Sequence, residues 1–114
     1  MATKLEIQRI TPDGAEGDMM PVACDPEGNT VQNLRTLHLV FSHRDESSDH
    51  EVVFETPATV AGYPVEDHTL TLPAASPGGS SAAIVGGFPV AAFGSTLRFT
   101  ADSSDVKVEA YAVW

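Results

Sequence analysis

Short runs in which apolar and polar residues alternate, each bounded by turn residues, constrain the fold of this chain most. The clearest is His68–Pro73, in which Leu70 and Leu72 fall on one face and two threonines on the other. Turn signals rich in glycine and proline flank it within the stretch from Thr56 to Phe88. This pattern is typical of a half-buried β-strand that ends at a proline, and it predicts a scaffold rather than an active site.

The same two-residue period recurs along the chain, without any window of helical period. It predicts further strands over residues 3–10, 34–41, 50–56, 81–85, 96–100 and 106–114. We expect the first to be an edge strand. Two pairs, 34–41 with 50–56 and 96–100 with 106–114, are expected to form hairpins across short polar turns. Seven or eight short strands without crossover helices predict an all-β fold, either an antiparallel β-sandwich or a jelly-roll-like barrel.

Length and punctuation predict the domain organisation. A chain of 114 residues is long enough for one stable core, so we expect a single domain over 1–114. Over 11–33 the alternation is lost and prolines and glycines interrupt a polar stretch. The sequence therefore predicts an extended N-terminal loop or arm there, and loops of this length are usually functional or disordered.

Charge and hydropathy exclude some classes of partner. Sixteen acidic residues against six basic ones give a net charge of −10, which repels phosphate backbones and anionic lipids. No apolar run approaches the ~20 residues that span a bilayer, and the N-terminus lacks the features of a signal peptide. We expect no direct nucleic-acid partner and no membrane partner. The acidity is compatible with solubility, with docking to a basic surface, or with adaptation to salt.

No arrangement of reactive residue types in the sequence predicts chemistry. The spacing of the histidines fits no metal-ligand set and predicts solvated turn and strand-face side chains at His38, His43, His50 and His68. Cys24, the single cysteine, lies in a proline-bounded loop, and we expect Asp25 beside it to raise its pKa and leave it inert. We therefore predict no enzyme, no catalytic residue, no metal site and no cofactor.

Apolar residues outside the strand pattern are candidates for a surface that is buried on assembly. Methionine and aromatic side chains are enriched in interface cores, and the acidic chain has few of them. The residues predicted to contact a partner are Met19, Met20, Pro21, Phe88, Pro89 and Trp114.

The order of these strands and turns resembles that of a group of small tailed-bacteriophage virion proteins. The resemblance covers mainly residues 35–113, and it departs at 44–49 and 74–81. Its shared features are a turn, an alternating run that contains threonine, a glycine-rich link, an aromatic–proline pair and a closing valine-rich strand. The segments that carry it are Thr56–Pro73, Gly86–Pro89, Phe99–Asp102 and Val106–Ala110.

The resemblance implies a decoration or cement protein that binds the major capsid protein on the outside of the head. It implies a virion location at the capsid surface, assembly in the host cytoplasm, and self-association, with a trimer favoured. The arm over 11–33 would order on contact with a neighbour or the shell.

Two alternatives from other classes stay open at this stage. One is a head-completion or tail component, which differs from a decoration protein by a copy number of a few to dozens per particle. The other is a carbohydrate-binding β-sandwich, which requires exposed aromatic side chains in a row on one face. The available candidates, Tyr63, Tyr111 and Trp114, do not share a strand face.

Overall fold

The computed structural model of the chain describes residues 3–12, 14–16, 21–57, 59–60, 62–64 and 66–113. These residues form almost only strands, so the predicted all-β fold is confirmed. The strands are β1 (Thr3–Lys4), β2 (Ile7–Thr11), β3 (Gly14–Glu16), β4 (Val22–Ala23), β5 (Asn29–Gln32), β6 (His38–His43), β7 (His50–Phe54), β8 (Thr59–Val60), β9 (Tyr63–Pro64), β10 (His68–Leu72), β11 (Ser81–Gly86), β12 (Thr96–Ala101) and β13 (Lys107–Ala112). One short helix, α1, spans Val90–Phe93.

Two sheets pack face to face as a sandwich. Sheet I has the order β1-β5-β12-β7-β10, and sheet II has the order β11-β6-β13-β2-β3, with β4 paired to β13. The strands β8 and β9 form a separate small ribbon. Pairing is antiparallel except for β1 with β5 and β2 with β13, which are parallel. The predicted first strand is thus two strands, because the chain crosses from sheet I to sheet II at the buried Leu5.

The core lies between the inner faces of the two sheets. Phe41 of sheet II meets Phe54 and Phe99 of sheet I, with ring centroids 5.9 and 5.4 Å apart in edge-to-face geometry. The alternation predicted for each long strand is confirmed by burial, since every second residue points inward. The inward residues include Leu39, Phe41, Val52, Phe54, Leu72, Leu97, Phe99, Val108, Ala110 and Ala112.

The two predicted hairpins do not form. Strand β6 pairs with β11 and β13 in sheet II, whereas β7 pairs with β10 and β12 in sheet I. Likewise β12 lies in sheet I and β13 in sheet II. The prediction was wrong because two consecutive half-buried strands can bury their apolar faces either side by side or against each other across the core. Sheets pack about 10 Å apart, a distance that either polar connection spans.

The stretch predicted as an arm, 11–33, contains strands β3, β4 and β5 and is not an extended loop throughout. Strand β5 lies inside sheet I, with Val31 in the core and Asn29 buried beside it. The side chain of Asn29 accepts a hydrogen bond from the Asp25 amide (2.9 Å) and donates to the Asp25 carbonyl (3.1 Å). One of the two inward positions of β5 is therefore occupied by a polar residue that closes a turn. The alternation of apolar and polar residues that predicts a strand is missing in β5 for this reason.

The connections between sheets gather at the two ends of the sandwich. At one end, which we call the histidine end, β6 finishes at His43 and β7 starts at His50. The links β10–β11 and β12–β13 cross between the sheets at this same end. At the opposite end, β11 leads through residues 87–95, including α1, to β12. Over the described ranges, no helix has the length and hydropathy needed to span a membrane.

Candidate functional site

The residues predicted to contact a partner fall at both ends of the sandwich. Pro21 is exposed and lines a cleft at the histidine end, whereas Phe88 and Pro89 lie at the opposite end beside α1. The other predicted contacts lie outside the described residues: Met19, Met20 and Trp114. The structure therefore places Phe88 and Pro89 next to each other and far from Pro21.

Phe88 anchors the segment that carries α1. Its ring centroid lies 4.9 Å from that of Phe54 in the core and 5.2 Å from that of Phe93 at the end of α1. Pro89 directly follows it, is exposed, and precedes the first helical residue, Val90. Val90 has 54% of its surface exposed, so the segment presents apolar surface to solvent. Phe88 packs against the core and anchors the segment there.

A buried asparagine fixes both ends of this segment, residues 88–94, which we call the apolar bracket. The Asn33 side-chain amide donates to the Phe88 carbonyl at 3.0 Å and to the Gly94 carbonyl at 2.9 Å. The Asn33 backbone N–H donates to the Ser95 carbonyl at 2.9 Å. Gly94 has φ 84°, a backbone conformation that a residue with a Cβ rarely adopts, and it ends the helix there. The bracket is thus held in one shape before any partner arrives.

Replacing Asn33 with alanine is expected to destabilise the fold by about 2 kcal/mol, because two carbonyl groups lose their donors in a mostly buried place. The free energy of unfolding from urea denaturation measures this loss. Gln32→Ala is the matched control, since the neighbouring Gln32 side chain is exposed and its removal is expected to change stability by less than about 0.5 kcal/mol. Equal losses in the two variants would contradict the role given to Asn33.

Two of the four histidines are buried, against the prediction that all are solvated. His43 and His50 are 2% and 7% exposed, whereas His38 and His68 are exposed as predicted. The rings of His43 and His50 meet edge to face with centroids 4.6 Å apart. They become neighbours because β6 ends and β7 begins at the same end of the sandwich, on the inner faces of opposite sheets.

His50 lies between two carboxylates. Its Nδ1 is 2.7 Å from Asp102 Oδ1, and its Nε2 is 2.9 Å from Asp45 Oδ2. Asp102 follows β12, and its other oxygen accepts the Glu51 amide at 3.0 Å. Ionised carboxylates only accept hydrogen bonds, so the arrangement favours a His50 ring that donates from both nitrogens as an imidazolium.

The pKa shifts follow from these contacts. The hydrogen bond to Asp102, together with that to Asp45, raises the pKa of His50 above 6.5, although burial acts in the opposite direction. Hydrogen bonds from the Ser47 amide and hydroxyl, together with the one from His50, lower the pKa of Asp45 to about 2. The group is therefore an ion-paired link between the β6–β7 connection and the end of β12.

His43 is held by backbone groups. Its Nδ1 accepts the Asp45 amide at 3.1 Å, and its Nε2 lies 2.9 Å from the Pro73 carbonyl. An amide donates and a carbonyl accepts, so these contacts select the tautomer with the proton on Nε2. The Ala75 amide also donates to the Asp45 carbonyl at 2.7 Å, so the β10–β11 link joins the same cluster.

The cluster has little capacity for acid–base chemistry. Both ring nitrogens of His50 and both of His43 are occupied by protein groups, which leaves neither ring a nitrogen for a substrate. Ser47 Oγ donates to Asp45 at 2.8 Å, so its hydrogen bond runs to a carboxylate instead of a histidine base. Within the ranges that the structure covers, no three His, Cys, Asp or Glu side chains converge as a metal ion requires.

A cleft of about 750 Å³ opens beside the histidine cluster. Its lining carries both charge signs, from Arg44 and Lys107 and from Asp45 and Asp105. Mixed charge of this kind gives no net preference for an anion or a cation. Cys24 packs nearby in the core, and burial raises the pKa of its thiol to about 12, with Lys107 opposing the shift. The raised pKa of the Cys24 thiol is thus caused by burial, whereas the sequence analysis expected Asp25 to cause it.

Sequence reasoning missed the residues that organise both ends. Asp102 lies far along the chain from His50, and periodicity carries no information about which distant residues meet. Asn33 was missed because it forms no motif and lies in a stretch where the sequence predicts no strand, so no local signal marks it.

Comparisons of the chain with protein-family models, with curated proteins and with solved structures find no match.

Proposed function

We propose that this chain is a non-enzymatic structural virion protein that binds the outside of a bacteriophage capsid and stabilises it. The resemblance of residues 35–113 to small virion proteins of tailed phages motivates the proposal. The all-β sandwich is compatible with such a role, and the arrangement of the described histidines and Cys24 favours structure over catalysis. The partner proposed is the major capsid protein.

The apolar bracket is the observation that carries the proposal. Pro89 and Val90 present apolar surface to solvent, and Phe88 and Asn33 fix that surface from behind. A surface held in its bound shape loses little conformational entropy on binding, so more of the contact energy remains as affinity. A preorganised apolar surface of this kind suits a protein whose proposed role is to bind a capsid and not to catalyse a reaction.

Stabilisation of a shell would follow from many such contacts. A specific interface of standard size buries about 1,600 Å² in total, and each decoration protein that bridges two capsomers adds its binding energy to their joint. Because the shell is symmetric, the same contact repeats many times, and the summed binding energy helps the shell to resist the pressure of packaged DNA. The net charge of −10 keeps such a protein off the DNA itself.

The proposal is tested by co-sedimentation of the purified chain with isolated heads of the phage that encodes it. We expect saturation at hundreds of copies per head. Val90→Asp is expected to lower the bound amount at subsaturating concentration at least about tenfold, because it places a charge in the centre of the apolar contact.

Ile10→Asp is the matched control. Ile10 is 38% exposed and lies outside the bracket and away from the other predicted contacts in the sequence, so the same new charge there is expected to leave binding unchanged. Absence of the wild-type chain from the pelleted heads would contradict the proposal. Saturation at a few to dozens of copies would assign the chain to head completion or the tail instead.

A further inference from the structure

Strand β11 (Ser81–Gly86) forms one edge of sheet II. It pairs with β6 along its whole length, from Ser81 opposite His43 to Gly86 opposite His38. Among the described strands, none covers its other side. The outward N–H and C=O groups of an edge strand are a template for an added strand.

Proteins usually protect such an edge with charge, proline or short length. Two other edges of these sheets, β1 and β3, are two and three residues long. A third, β10, is followed directly by Pro73, which has no N–H. Strand β11 is six residues long and contains neither a charged residue nor a proline.

The side chains of β11 add an apolar contact. Ile84 lies in the centre of the strand and is 70% exposed. No other large apolar residue in the described part of the chain has a larger exposed fraction. Its neighbour across the strand pair is Val40 of β6, and Ala82 and Gly86 on the same face are also exposed. Branched and small side chains of this kind suit a pleated sheet that continues beyond the edge.

Charge indicates the occupant. The chain carries −10, yet from Thr69 to Leu97 it has no Asp, Glu, Lys, Arg or His. This uncharged segment includes β11, most of β10 and the apolar bracket. In a two-fold contact between two copies, a charge near the axis meets its own counterpart of the same sign, so an acidic protein forms such a contact most readily where its surface is uncharged. A basic partner would instead be matched by an acidic surface.

We propose that the free edge of β11 pairs antiparallel with β11 of a second copy, about a two-fold axis near its centre. The two copies of sheet II then form one continuous sheet, and the Ile84 side chains lie on the same face close to the axis. This assembly is a dimer, whereas the resemblance to virion proteins implied a trimer. It is independent of whether the chain binds capsids.

Sedimentation velocity over a range of protein concentrations, combined with hydrogen exchange, tests the pairing. We expect a monomer–dimer equilibrium, with slower exchange of amides within Ser81–Gly86 as the dimer forms. Added salt is expected to strengthen the dimer, because it screens the repulsion between two chains of charge −10. Ile84→Glu is expected to raise the dimer dissociation constant at least about tenfold, since two like charges then lie close together.

Val113→Glu adds the same charge at an exposed site outside β11 and is expected to leave the dimer intact. Circular dichroism and the unfolding midpoint of both variants confirm that each is folded. A monomer at all concentrations, a trimer, or a dimer that Ile84→Glu does not weaken would overturn the proposal. Protection of β11 only when capsids are added would also overturn it and would assign the edge to a capsid segment.

Discussion

Replacing Phe54 with alanine is expected to lower the free energy of unfolding by about 4 kcal/mol. Phe54 is fully buried in β7, and its ring centroid lies 5.6 Å from that of Phe99 in the same sheet and 5.9 Å from that of Phe41 in the opposite sheet. It also lies 4.9 Å from the ring of Phe88, so it supports the apolar bracket. The loss combines transfer of the ring to water in the unfolded state with a cavity that rigid neighbours cannot fill.

Urea denaturation followed by fluorescence or circular dichroism measures this loss, with Val113→Ala as the control for removing an exposed apolar side chain. The control is expected to change stability by less than about 0.5 kcal/mol. Because small domains have only about 5–15 kcal/mol of stability, Phe54→Leu provides a milder variant that keeps much of the volume. A loss below about 1 kcal/mol for Phe54→Ala would show that the four rings do not form a shared core.

Replacing His50 with glutamine is expected to remove a pH-dependent part of the stability. The folded-state pKa of His50 is raised above 6.5, so its contribution is fully present below pH 6.5 and is lost as pH rises through the folded pKa. The pKa of Asp45 is lowered from 3.8 to about 2, so its contribution is present above pH 3.8 and is lost as pH falls toward 2. The two carboxylate contacts therefore stabilise the fold most between about pH 4 and 6.5.

The measurement is the free energy of unfolding of wild type and variant at several pH values. We expect the difference between them to be largest in that window and to shrink as pH rises further. His68→Gln replaces an exposed histidine outside the cluster and is the control, expected to change stability by less than about 0.5 kcal/mol. If the His50→Gln difference grew with rising pH, the imidazolium paired with Asp45 and Asp102 would be the wrong description of this group.

The sequence predicted the inward residues of the long strands well. In β6, β12 and β13, alternation identified the buried apolar side chains, because the two-residue period of a strand is a local property of the backbone, but it did not identify the inward His43 and His50. It failed for β5, where the inward Asn29 closes a turn through its own side chain. A polar residue with local hydrogen bonds hides a strand from a hydropathy pattern.

The candidate site was predicted only in part. Phe88 and Pro89 were identified as unusual apolar residues, and the structure places them in one segment at the α1 end. The role of Asn33 in holding that segment depends on contacts with residues more than fifty positions away along the chain. The same is true of Asp102, which follows β12 and contacts His50 from the other half of the chain.

Local properties of the sequence thus determined the all-β class, the faces of the strands and the acidic charge of the surface. Tertiary structure alone decided which strands are partners, because two consecutive amphipathic strands bury the same apolar area in one sheet or across two. It also decided that β6 and β7 face each other across the core, which brings His43 and His50 together and buries them. Strand β11, which lies in the uncharged stretch from Thr69 to Leu97, is a free sheet edge for the same reason, since the pairing order places it outermost in sheet II.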